Sequence, residues 1–157
     1  MRGGYPGREV NPISSSITFG PILECIMPDD PRSPKSQGAA TILVVDDDAL
    51  MRTLIRRTLT TAGYSVFTAP GVPEARLLLP SIEQSLDVLL ADVVMPGGLG
   101  PELAGTILSI GTDTRVVYMS SYPADKLKVH GVELGGAGFL QKPFLPNQLL
   151  DQIRELI

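Results

Sequence analysis

Four places in the sequence end a short apolar run on a residue able to do chemistry. Ile42-Leu43-Val44-Val45 stops at Asp46, Asp47 and Asp48, the run to Ala91 stops at Asp92, the run to Met119 stops at Ser120, and Gly138 to Gln141 stops at Lys142. Carboxylates brought to one crevice repel one another, and a hard divalent cation relieves the repulsion. Mg²⁺ prefers one or two carboxylates, a carbonyl and several waters. A cation held by Asp47 and Asp92 can also bind an incoming phosphoryl oxygen. Phosphoryl transfer asks little of a protein beyond alignment and neutralisation of charge on the equatorial oxygens, and Lys142 and Ser120 supply a cation and a hydroxyl for that task. Asp92 is then the nucleophile.

These residues need elements to place them. Thr41 opens a β-branched run that reads as a buried strand. After it, Leu50, Met51, Leu54, Ile55, Leu59 and Ala62 recur at helical spacing, with Asp48 as N-cap and Gly63 closing the segment. The alternation repeats: a strand over 64–69, a helix over 72–79, an apolar strand over 86–91, a helix over 102–110, a strand over 115–119, a helix over 124–129, a strand over 138–141 and a closing helix over 145–157. Five β-α units imply a parallel sheet covered on both faces. The expected fold is α/β and flavodoxin-like: one doubly wound domain with five strands in the order 2-1-3-4-5. In that order the first and third strands are neighbours, so Asp46, Asp47 and Asp92 meet at the switch point, where such folds bind ligands.

Composition narrows the function. The 157 residues suffice for one ordinary domain over 41–157 plus a tail over 1–40, whose Pro, Gly and Ser content reads as disordered or linker-like. Thirteen Lys and Arg against seventeen Asp and Glu give a net charge of −4, which argues against a nucleic-acid groove. No apolar run approaches the roughly 18 residues of a membrane span, so a cytoplasmic protein without membrane contact is expected. Cys25 is the only cysteine and excludes both an internal disulfide and a cysteine-based zinc site. Met27, ahead of Pro28-Asp29-Asp30, is an alternative to Met1 as the start of translation.

Four motifs in order, Ile-Leu-Val-Val-Asp46-Asp47-Asp48, Asp92-Val-Val-Met-Pro96, Met-Ser120-Ser121 and Phe139-Leu-Gln-Lys142-Pro143-Phe144, resemble the receiver domains of two-component response regulators. The segment after Asp92 resembles receiver modules fused to hybrid histidine kinases, with a loop before Pro101 one residue shorter than that resemblance implies. Only fifteen residues follow Lys142, which fits a clipped final helix. The resemblance implies a domain of a phosphorelay that accepts a phosphoryl group on Asp92 from a sensor histidine kinase or phosphotransfer domain, and that catalyses only its own phosphorylation and dephosphorylation. It further implies Asp47 as a direct Mg²⁺ ligand, Asp46 as a ligand through water and the Val94 carbonyl as the backbone ligand. Ser120 and Lys142 would contact the phosphoryl group. Phe139 would turn when Ser120 moves, and a downstream protein would read the change on the fourth helix, fifth strand and fifth helix. The first helix, with Arg52, Arg56 and Arg57 facing outward, would meet the histidine-bearing bundle.

Other readings compete at single positions. Asp46 to Asp48 also suit a helix N-terminus, where carboxylates favour the dipole. Ser121 could take the phosphoryl contact instead of Ser120, and Phe139 could be a core aromatic. Gly97, Gly98 and Gly100 read as turn glycines, because no Gly-Lys-Ser/Thr follows them. His130, the lone histidine, reads as a surface residue. The main functional rival is a phosphohydrolase of the haloacid-dehalogenase type, with Asp46 and Asp48 as its nucleophile and acid; against it, Ala49-Leu50-Met51 runs directly into a helix. A non-phosphorylated interaction module on the same fold is a weaker rival.

Overall fold

The computed structural model describes residues 39–129 and 131–157. The tail expected over 1–40 lies outside them except for its last two residues, as do Cys25, Met27 and the surface placement of His130. Among the described residues, seven strands and five α-helices run in the order β1 (Thr41–Val45), α1 (Ala49–Thr61), β2 (Ser65–Ala69), α2 (Val72–Ile82), β3 (Leu86–Asp92), β4 (Val94–Met95), β5 (Gly98–Leu99), α3 (Gly100–Ser109), β6 (Arg115–Ser120), α4 (Ala124–Val129), β7 (Gly138–Gln141) and α5 (Pro146–Leu156). The main sheet has the order β2-β1-β3-β6-β7, and every pairing in it is parallel. This is the expected 2-1-3-4-5 arrangement once the two-residue strands β4 and β5, which pair only with each other, are set aside.

Alternation along the central strands divides the core. Leu43, Val45, Leu89, Ala91, Val116 and Tyr118 face one side with residues of α2, α3 and α4. Ile42, Val44, Val88, Leu90, Val117 and Met119 face the other, against Ile55 and Leu59 of α1 and Leu149 and Ile153 of α5. Both faces of the central strands are therefore dry, which is why they read as continuous apolar runs.

Three local features depart from the sequence reading. Asp87 interrupts the run of β3, and it is tolerated because the pairing with β1 shifts register between Thr41 and Ile42, leaving Asp87 exposed with its carboxylate accepting the Thr41 N–H at 2.7 Å. Helix α2 continues through Pro80 to Ile82 instead of ending at Leu79. Pro80 and Arg76 are both exposed, so the carbonyl that loses its intrahelical donor can turn to water. Helix α3 begins at Gly100, two residues earlier than expected.

Candidate functional site

Each reactive residue stands where a strand runs out of neighbours. Beyond β1, the Asp46 N–H continues the ladder to Ala69 O at 3.2 Å, and its side chain is fully buried. One Asp46 oxygen accepts the Asp48 N–H at 2.9 Å and the other accepts the Lys142 ammonium at 2.6 Å. Asp47 is exposed, and its carboxylate has no hydrogen-bond partner among the described residues. Asp48 caps α1 by accepting the Leu50 and Met51 N–H groups at 2.8 and 3.1 Å, so the third aspartate serves the helix.

Asp92 closes β3 in register with Met119 of β6. Its Oδ2 accepts from Lys142 Nζ at 2.7 Å and its Oδ1 accepts the Val94 N–H at 3.2 Å. The Lys142 N–H donates to Ser120 O at 2.8 Å, carrying the β6–β7 ladder past the end of β7 and setting Lys142 beside Ser120. From there the ammonium bridges Asp46 and Asp92. Ser120 is buried, and its Oγ accepts the Tyr122 N–H at 3.1 Å, whereas Ser121 is exposed. Phe139 pairs with Tyr118 across the strands and packs, half-buried, against the α2–α4 side of the core. Asp46, Asp47, Asp92 and Lys142 thus share one crevice, Ser120 adjoins it, and Phe139 stands back from it in the packing.

Burial raises the pKa of Asp92 above its ordinary value, with a smaller push from the nearby Asp46; the Lys142 hydrogen bond and charge pull the other way without cancelling the rise. Burial opposes the charge on Lys142, but its bonds to Asp46 and Asp92 outweigh that and hold its pKa above the usual lysine value.

One carboxylate oxygen from each of Asp46, Asp47 and Asp92 lies within 4.8 Å of the others. With all three ionised, the single Lys142 ammonium leaves two negative charges, and the donors are hard oxygens. That set fits a divalent cation of the Mg²⁺ class. Val94, the expected carbonyl ligand, lies two residues beyond Asp92 and is exposed.

Two residues gained roles that the motifs did not signal. Arg52, expected to face outward, turns back instead, its Nη1 donating to Asp46 O at 2.7 Å and Asp47 O at 3.1 Å. Helical spacing gives the position of a side chain but not the bend of a long one. Gly100 is a packing contact and not only a turn glycine: its N–H donates to Val93 O at 3.0 Å, and a Cβ there would lie 2.3 Å from Asp92 O.

The model of the response regulator receiver domain matches residues 42–154, which include the whole acidic crevice. The chain belongs to the response regulator receiver family. Receivers are signalling domains, not classical enzymes, and this one is similar to the response regulator MprA of Mycobacterium avium, at 35% identity over 116 residues covering 74% of this chain and 50% of that one. It is 31% identical over 120 residues to the sensor kinase CckA of Brucella abortus, covering 76% of this chain and 13% of that one. The chain thus spans half or less of the length of these relatives. Among solved structures, the chemotaxis protein CheY4 of Vibrio cholerae superposes with a TM-score of 0.66 at 30% identity, covering 76% of this receiver and 99% of CheY4. The receiver domain of the hybrid histidine kinase CckA does so with a TM-score of 0.63 at 27% identity, covering 74% and 98%. No helix among the described residues is long and apolar enough to cross a membrane.

Proposed function

We propose that this receiver accepts a phosphoryl group on Asp92 from a phosphohistidine of a sensor kinase or phosphotransfer domain, with Mg²⁺ held by Asp46, Asp47, Asp92 and the Val94 carbonyl. The observation that carries the reading is Lys142 Nζ placed 2.7 Å from Asp92 Oδ2 inside a crevice of three carboxylates. An Asp92 oxygen attacks phosphorus, an acyl-phosphate bond forms, and the bond from phosphorus to the donor imidazole nitrogen breaks. Lys142, already in reach of the nucleophile, pairs with a phosphoryl oxygen as charge builds there. The Ser120 hydroxyl can donate to another oxygen while still accepting from Tyr122, since a hydroxyl does both. The cation supplies charge neutralisation at the reacting phosphoryl group.

The phosphohydrolase alternative on Asp46 gains no support, because the Asp46 side chain is fully buried whereas that of Asp92 stays partly exposed to an incoming donor. Intact-mass spectrometry after incubation with acetyl phosphate and Mg²⁺ tests the proposal. One added phosphoryl group is expected, absent in Asp92→Asn and in excess chelator. Labelling that persists in Asp92→Asn and is lost in Asp46→Asn would move the nucleophile to Asp46.

A further inference from the structure

The chain faces a satisfaction problem where β1 stops. Past the Asp46 N–H the ladder ends, and the carbonyls of Asp46, Asp47 and Asp48 need donors from elsewhere. A single residue serves all three. The Arg52 backbone N–H donates to Asp48 O at 3.0 Å, and its Nη1 donates to the Asp46 and Asp47 oxygens at 2.7 and 3.1 Å. Those two peptide groups carry the two carboxylates that leave β1 for the crevice.

We infer that Arg52 is a positioning residue for the divalent cation, holding the Asp46–Asp47 backbone so that both carboxylates reach the cluster with Asp92. This rests on the cation reading above. Arg52 is thereby taken off the kinase-docking surface on which the helical pattern alone would put it.

Electrostatics and positioning predict opposite signs. A guanidinium beside an acidic crevice repels a divalent cation, so its charge alone weakens binding, and deleting it should tighten binding. A residue that orders the ligands acts the other way. Groups that orient ligands from outside the coordination shell commonly change metal affinity by about tenfold or more.

Titration of the full chain with Mn²⁺ alone, followed by isothermal calorimetry, separates the two. Arg52→Ala is expected to weaken Mn²⁺ binding by about tenfold. Arg52→Lys, which keeps a charge and several donors on a long stem, is expected to recover most of the loss. Binding by Arg52→Ala that equals or exceeds the parent overturns the inference, as does an Arg52→Lys variant no better than alanine. Should Arg52→Ala fail to fold by circular dichroism, Arg52→Gln is held to the same criterion. Asp47→Ala, measured alongside, keeps the two levels apart. If it also leaves Mn²⁺ binding intact, the cation reading itself fails; if it abolishes binding while Arg52→Ala does not weaken it, only the role of Arg52 is lost.

Discussion

Asp92 carries a charge that its surroundings disfavour. Burial sets its pKa above the ordinary value of 3.8, and Lys142 offsets only part of the rise. The folded protein therefore binds this proton more tightly than the unfolded chain does. The favourable contribution is fully present below the unfolded pKa and is lost as pH rises through the folded one, so ionised Asp92 opposes folding at neutral pH in metal-free buffer. Lys142 has the complementary sign, since its raised pKa contributes stability that persists until the pH passes above it. Accordingly Asp92→Asn should melt at a higher temperature than the parent at pH 7 in chelator, with the gap closing as pH falls through the carboxylate range. Calorimetric melting curves across that range check it; a variant that melts lower at pH 7 would contradict the raised pKa. That Asp92 and Lys142 would meet was legible because a charged residue directly after a buried strand has few purely structural reasons to be there. Arg52 was not, because nothing in its spacing shows that its head bends back onto strand-end carbonyls.

Helix α1 shows how little of an element its fold requires. Ile55 and Leu59 are its fully buried residues, while Leu50 is 79% and Leu54 46% exposed. The helix contains no acidic residue, and Arg57 is exposed. An exposed apolar and basic face in a chain of net charge −4 suits an acidic, amphipathic helical partner, as the proposed kinase contact requires. Arg57→Glu should slow phosphoryl transfer from the cognate kinase by about tenfold, because rim charges act mainly on encounter. Acetyl phosphate labelling of the same variant should match the parent; a loss in both assays would indicate damage to the fold instead. At this scale the amphipathic period of α1 and the dry strands were readable from sequence. Strands β4 and β5 were not, since two residues carry no period, and the true end of α2 was hidden by the exposed position of Pro80.

Across the whole molecule, the sheet gathers residues as far apart as Asp46 and Lys142 into one salt-bridged cluster. That order was foreseeable, because βαβ units twist in one direction and charged or hydroxyl residues recurred at strand ends. The link from the crevice to the outer face of α4, β7 and α5 is a prediction of another kind. Ser120 and Phe139 sit on adjacent strands on the same side of the sheet, joined through the Tyr118–Phe139 pairing. A dianionic phosphoryl group that recruits the Ser120 hydroxyl should bias how Phe139 packs, with coupling of about 1–3 kcal/mol. Amide shifts measured with and without a beryllofluoride mimic should change at Ser120, Phe139 and α4. Ser120→Ala should shrink the distant changes and keep those beside Asp92; perturbations confined to Asp47, Asp92 and Lys142 in the parent would exclude the link.

The contact between Gly100 and the Asp92 carbonyl bears on how this chain can vary. Replacing a helical glycine with alanine ordinarily stabilises a helix by up to about 1 kcal/mol. At Gly100, the opening residue of α3, the added methyl would meet Asp92 O at 2.3 Å, far inside contact distance. The propensity scale therefore has the wrong sign here. A change that improves α3 taken alone must push the backbone of Asp92 out of line or tilt the helix away from it. Substitutions at this position register as defects at Asp92, eight residues earlier in the chain, and a library selected for the proposed Asp92 labelling would keep glycine at 100 while its neighbours drift.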